Sequence, residues 1–379
     1  MRQPMAGLLL AGTTLAAVWC AAVPGFAQAT PQKALLALSK RDHTLAIVDP
    51  TSLKVIARAP VGPDPHEVIA SEDGKTAYVS IYGGGRYHAL SVIDLVGQKA
   101  LPDIDTGALN GPHGLMFLGG KLWFTAEGAK AIARYDPATE KVDWIMGTGQ
   151  NRTHMLFVTK DEKEIYTTNV ASATVTILDL VKMPQMGPPP HPNDKDPSLG
   201  TPPPGMQPPP GMQPPPGAMG PPPGGGPPRM DWTETVISVG KGDEGFDVSP
   251  DGRELWTANA QDGTISVIDL ASRKVIATLD ANVRSANRLK FTPDGKLVFI
   301  SLLGGSDLVI YDASSRKEFK RVKIGHGAAG ILMDPDGTRA YVSCGPDNYV
   351  AVIDLKSLEV AGHIDVGGEP DGLAWAMQP

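Results

Sequence analysis

Residues 245–280 read GFDVSPDGRELWTANAQDGTISVIDLASRKVIATLD. Four short apolar runs alternate here with turn residues: GFDVS, ELWTAN, TISVIDL and KVIATL. Alternation with a period of two and a wealth of β-branched side chains mark each run as a strand. The PDG between the first two is a tight turn, in which Pro presets φ and Gly accepts the left-handed conformation. Asp251, and Asp294 and Asp336 in the same turn of later units, therefore read as turn residues rather than calcium ligands.

The third run ends in aspartate seven times along the chain, at Asp49, Asp94, Asp136, Asp179, Asp269, Asp312 and Asp354. The gaps are 45, 42, 43, 90, 43 and 42 residues, so a single insertion interrupts a regular repeat. Four strands per repeat at this period predict an all-β fold, a seven-bladed β-propeller of four-stranded antiparallel blades. The chain enters in a second strand (ALLALS, 34–39) and ends in a first strand (GLAWA, 372–376). The C-terminal strand is thus expected to join the N-terminal blade and close the ring, which removes exposed edges.

The stretches AYVSIYGGG, LWTANAQDGTISVIDL and AYVSCGPDNYVAVIDL resemble the YVTN-type β-propeller repeat, here in an exported bacterial form. The resemblance covers nearly all of the chain outside the insertion and the leader. It implies the propeller fold. Such repeats carry binding proteins, lactonase-like hydrolases, lyases and cofactor-bearing oxidoreductases, so the resemblance leaves function open.

Residues 1–29 read as a signal peptide: Arg2, an apolar stretch, and an A-x-A cleavage pattern formed by Ala27 and Ala29. The bulky Trp19 before Cys20 speaks against a lipoprotein signal. The expected location is periplasmic or secreted. Blades one (in part) to four occupy 30–180, and the end of blade four, blades five to seven and the closing strand occupy 231–379. Residues 181–230 are a Pro/Gly-rich insertion between the third and fourth strands of blade four, with a composition that cannot bury a core. Spacer, docking tract and a copper site at Met186, Met206, Met212, Met219 and His191 are its readings, spacer being the plainest.

The net charge of −7 gives no reason to expect a nucleic acid or an anionic membrane as partner. The expected partner is a small molecule or another protein, and the chain is read as a monomer that does not span a membrane. Only Cys344 remains after the leader, and C-x-x-C-H is absent, so neither an internal disulfide nor covalently attached haem c is expected. Cys344, Trp123, Trp256 and Trp375 read as packing residues.

Alignment on the turns gives one equivalent position per blade. From blade one to seven it holds Asp371, His66, His113, His154, Glu244, Asn287 and Ala329. In a propeller this position rings the mouth of the central channel. His66, His113, His154 and Glu244 form a candidate set for zinc or a similar divalent ion, with Glu244 as a fourth ligand or a general acid–base. A solvated, metal-free mouth and a metal-free ligand site are the competing readings. Arg86, Glu127, Arg152, Asn287, Arg288, His326 and Asp371 are expected on the same face as ligand-binding groups, the arginines as forks for a carboxylate or phosphate. The functional expectation is a small ligand or divalent metal at the mouth, with a scaffold role or a metal-assisted, lactonase-like hydrolase or lyase as alternatives.

Overall fold

The computed structural model describes residues 28–183 and 229–378. Residues 1–27 of the expected signal peptide and most of the insertion, with Met186, Met206, Met212, Met219 and His191, lie outside the described residues. Twenty-eight strands fall into seven four-stranded antiparallel sheets arranged as a seven-bladed propeller. The only helical element among the described residues is a short 3-10 turn, Gly83–Gly85. Among the described residues, no helix is long and apolar enough to cross a membrane.

Blade one combines Lys33–Ser39, Thr44–Asp49 and Lys54–Pro60 with the C-terminal strand Pro370–Met377, which pairs with Lys33–Ser39. The ring thus closes as the sequence predicts. In blade four the third strand, Thr174–Lys182, pairs along its whole length with the fourth, Met230–Ser238, so the insertion departs from the hairpin between them.

Each core cluster bridges two blades. One joins Leu36 and Ile47 of blade one to Val79 and Ile93 of blade two, and another joins Tyr341 of blade seven to Leu35 of blade one. The tryptophans occupy these seams: Trp123 packs on Leu156, Trp256 on Phe291 and Trp375 on Tyr341. Burying side chains of this size stabilises by about 2 kcal/mol or more apiece. Cys344 is fully buried in the seam of blades six and seven, and burial pushes its thiol up to about 12, which suits packing rather than chemistry.

The recurring aspartates terminate turns. The Asp269 carboxylate accepts the Ser272 N–H at 2.7 Å, and Asp94 accepts the Gly97 N–H at 2.8 Å. In the PDG turn, Asp251 accepts the Ser249 hydroxyl at 2.6 Å and the Arg253 N–H at 3.1 Å. These local bonds to backbone account for the periodic aspartates.

Candidate functional site

All seven ring residues are the second residue of the first strand of their blade, as in Pro65–Ala70, Pro112–Leu118 and Thr153–Val158. The sequence alignment places them just before that strand; the strand in fact begins one residue earlier. The local cause of their inward aim is a β-bulge. Pro65 pairs with Ile81 and Val68 with Val79, so His66 and Glu67 together face the single residue Ser80. The same two-against-one register recurs in every blade. A bulge bends the strand and re-aims a side chain.

The residue facing the bulge carries a hydroxyl in five blades: Ser80, Thr125, Thr168, Ser301 and Ser343. Four of these donate to the carbonyl of the ring residue in the next blade. Thr125 Oγ1 reaches His154 O at 2.6 Å, Thr168 Oγ1 reaches Glu244 O at 3.0 Å, and Ser301 and Ser343 reach Ala329 O and Asp371 O at 2.6 Å. The second bulge residue is often glycine because blades meet there: a Cβ on Gly114 would stand 2.7 Å from His154 O. Thr125→Val, which removes a buried bond while keeping the shape, is expected to cost about 1–3 kcal/mol. Urea denaturation measures that loss.

The ring surrounds a cavity of about 200 Å³ lined by His66, His113, His154, Glu244, Asn287 and Asp371. Arg152, Arg288, Lys40, Tyr82, Leu303 and Ala329 complete its wall. Arg288 is only 6% exposed and crosses the channel axis from blade six to pair with Glu67 of blade two. Burial would disfavour its charge, but Glu67 and Asp371 more than offset this and hold its pKa above the ordinary arginine value. This cavity, with Arg288 in its wall, forms a cup at the mouth.

The imidazoles stand side by side, with ring centroids 5.1 Å apart for His66–His113 and 3.9 Å for His113–His154. His113 and His154 are buried. Burial, together with the neighbouring imidazoles, pushes His113 well below the usual histidine pKa, so it is neutral. Burial likewise pushes His66 down to about 4. His154 Nδ1 is hydrogen-bonded to Glu127 Oε1, whose other oxygen accepts the Tyr82 hydroxyl at 2.5 Å. Burial raises the Glu127 carboxyl, but bonds from His154 and Tyr82 and the charge of Arg152 outweigh it and leave Glu127 below its ordinary value. Its carboxylate therefore orients His154 through Nδ1. His154 Nε2 and His113 Nδ1 are buried without a partner. One ligand atom from each of His113, Glu127 and His154 can be chosen so that all three lie within 4.8 Å of one another.

The other expected residues have different company. His66 Nε2 meets the Lys40 ammonium at 2.8 Å, and Lys40 also pairs with Asp371 at 3.3 Å and Asp64 at 3.5 Å. Glu244 accepts from Asn287 at 3.1 Å and Arg152 at 3.4 Å. The buried metal-capable group therefore contains Glu127 where the sequence reading has His66 and Glu244. Arg86 and His326 are exposed and do not line the cup; His326 pairs with Asp347.

Lys40 was missed, although a signal existed. Tyr82, Glu127 and Leu303 share its position, one residue past the second strand of a blade. That offset defines a second circle at the mouth: Lys40, Tyr82, Glu127, Val170, Ala260, Leu303 and Gly345.

A family model for the cytochrome D1 heme domain matches residues 228–337. An uncharacterized protein, YncE of Salmonella typhimurium, is 26% identical over 144 residues, 37% of this chain. The match spans 40% of that relative's length. Among solved structures, a proposed 6-phosphogluconolactonase of Bacteroides uniformis superposes with a TM-score of 0.65 at 15% identity, covering 90% of this chain and 99% of that one. The dihydro-heme d1 dehydrogenase NirN, in complex with DHE, gives 0.57 at 16% identity, covering 91% of this chain and 66% of that one. These likenesses support a bacterial β-propeller repeat protein.

The D1 match raises the question of a haem, and the cup does not fit one. Its volume of about 200 Å³ is below what even a drug-sized ligand fills. The matched stretch supplies a single histidine, His326, which is exposed and turned to Asp347.

Proposed function

We propose that this chain is an exported propeller whose mouth holds a divalent metal ion, zinc or a similar ion of intermediate softness, at His113 and His154. The observation that carries the reading is the pair of buried, partnerless nitrogens, His154 Nε2 and His113 Nδ1, behind which Glu127 fixes the tautomer of His154. A carboxylate on the far nitrogen of an imidazole is the usual support of a metal-binding histidine. An empty buried polar atom is costly, and a metal is one partner that serves two imidazoles at once.

Charge supports the same reading. Around the cup, three cations, Lys40, Arg152 and Arg288, meet five carboxylates, Asp64, Glu67, Glu127, Glu244 and Asp371. Five carboxylates against three cations leave two negative charges among these groups for a divalent ion to neutralise. Export rests on the N-terminal sequence alone.

A hydrolytic role is the second reading, favoured by the proposed 6-phosphogluconolactonase among the fold neighbours and by Glu244, a carboxylate lining the same cup. A bound ion would supply a polarised carbonyl or an acidified water. Titration of chelator-stripped, untagged protein with zinc tests the metal reading. One equivalent should bind, and His113→Ala and His154→Ala should each abolish that binding. Full binding by the double variant would overturn the reading.

A further inference from the structure

We infer that the cup takes a small amphipathic carboxylate, its head toward Arg152 and the metal position and its short aliphatic tail toward Leu303 and Ala329. The inference rests on the metal reading above and names the ligand class of that site.

Two circles of residues surround the mouth, and both are without a polar side chain at blade seven. In the first, blades one to six present Asp371, the three histidines, Glu244 and Asn287, whereas blade seven presents Ala329. In the second, blades one to three present Lys40, Tyr82 and Glu127, whereas blades four to seven present Val170, Ala260, Leu303 and Gly345. Leu303 and Ala329 line the cavity together, and Leu303 is 49% exposed, a large aliphatic side chain standing at a polar rim. Leu303 and Ala329 are thus the one apolar patch in an otherwise polar lining.

Arg152 selects the head group. It has only long contacts, Nε at 3.5 Å from Glu127 and Nη2 at 3.4 Å from Glu244, and its buried Nε makes no hydrogen bond. A guanidinium carries five donors in a planar fork suited to a carboxylate. The Arg152 backbone is left-handed at φ 55°, as is the equivalent residue of every blade, whether Gly111, Gly242 and Gly327 or Asp64, Ser285 and Glu369. The surplus of negative charge around the cup sets the order: the acid binds well only after the cation.

Size sets the tail. A volume of about 200 Å³ holds roughly six or seven waters, hence an acid of about six non-hydrogen atoms. Each methylene reaching the apolar patch should tighten binding about fourfold.

Calorimetry on the mature full chain, zinc-loaded or chelated, with acetate, propionate, butyrate and octanoate tests this. Affinity should climb about fourfold per methylene to butyrate and gain nothing further at octanoate. Chelation should weaken the series at least about tenfold, as should Arg152→Gln. Leu303→Asn, at a position exposed enough to spare the fold, should flatten the chain-length dependence. Zinc-loaded protein that shows no chain-length dependence, or is indifferent to Arg152→Gln, would overturn this inference and leave the metal reading standing. Protein that holds no zinc would overturn both.

Discussion

Asp243→Asn is expected to stabilise the protein at alkaline pH and to change little near pH 4. Asp243 is fully buried, one residue before Glu244, and burial pushes its carboxyl up to about 8. Its Oδ2 accepts the Asn169 N–H of blade four at 3.2 Å, so it ties blades four and five beneath the cup. Its Oδ1 has no partner, and neither does Asn259 Oδ1 on its register partner. In blade four the equivalent pair, Thr153 and Asn169, is joined by a hydroxyl donating to the amide oxygen at 3.0 Å. A proton on Asp243 would supply the donor that this pair of register partners lacks.

The folded chain therefore keeps a proton that the unfolded chain releases near the ordinary value of 3.8. Between that value and about 8, stability falls as pH rises, by up to about 1.4 kcal/mol per unit. Above about 8 the whole cost is present. Asparagine supplies the donor and the acceptor without titrating. Unfolding free energies of the two proteins from urea titration should nearly coincide at low pH and separate by several kcal/mol at about pH 9. A difference that is constant with pH would refute the neutral acid.

The second large effect concerns Glu127→Gln. The substitution preserves shape and removes the charge that holds the Nδ1 proton of His154. Metal affinity should fall about 10- to 100-fold, as for other second-layer carboxylates. Tyr82→Phe, which removes only the bond to Glu127 Oε2, should do less. Zinc should still bind wild type at about pH 6, because His113 lies well below the usual range and offers little competition from protons. Competition against a chromophoric chelator gives these affinities. An unchanged constant in Glu127→Gln would remove Glu127 from the site.

The fold was legible because propeller geometry repeats. Seven aspartates at a regular interval were enough to count blades, since each ends a strand by bonding turn amides. Equivalent ring positions could be aligned for the same reason, and all seven fall on one strand position. Which groups meet across the ring was not legible. Lys40 against His66, and Glu127 against His154, join residues 26 and 27 positions apart in neighbouring blades. Their pairing depends on how far loop side chains reach across the mouth, and sequence period says nothing of that. Glu127 was foreseen at the mouth but not beneath His154. The bulge, which turns each ring residue inward, leaves no mark in composition.

The central claim is that a divalent ion sits at His113 and His154. Anomalous diffraction from zinc-soaked crystals of untagged protein tests it most directly. The account predicts one strong peak about 2.0–2.1 Å from a ring nitrogen of each histidine. An empty map there, with zinc elsewhere or nowhere, would contradict it.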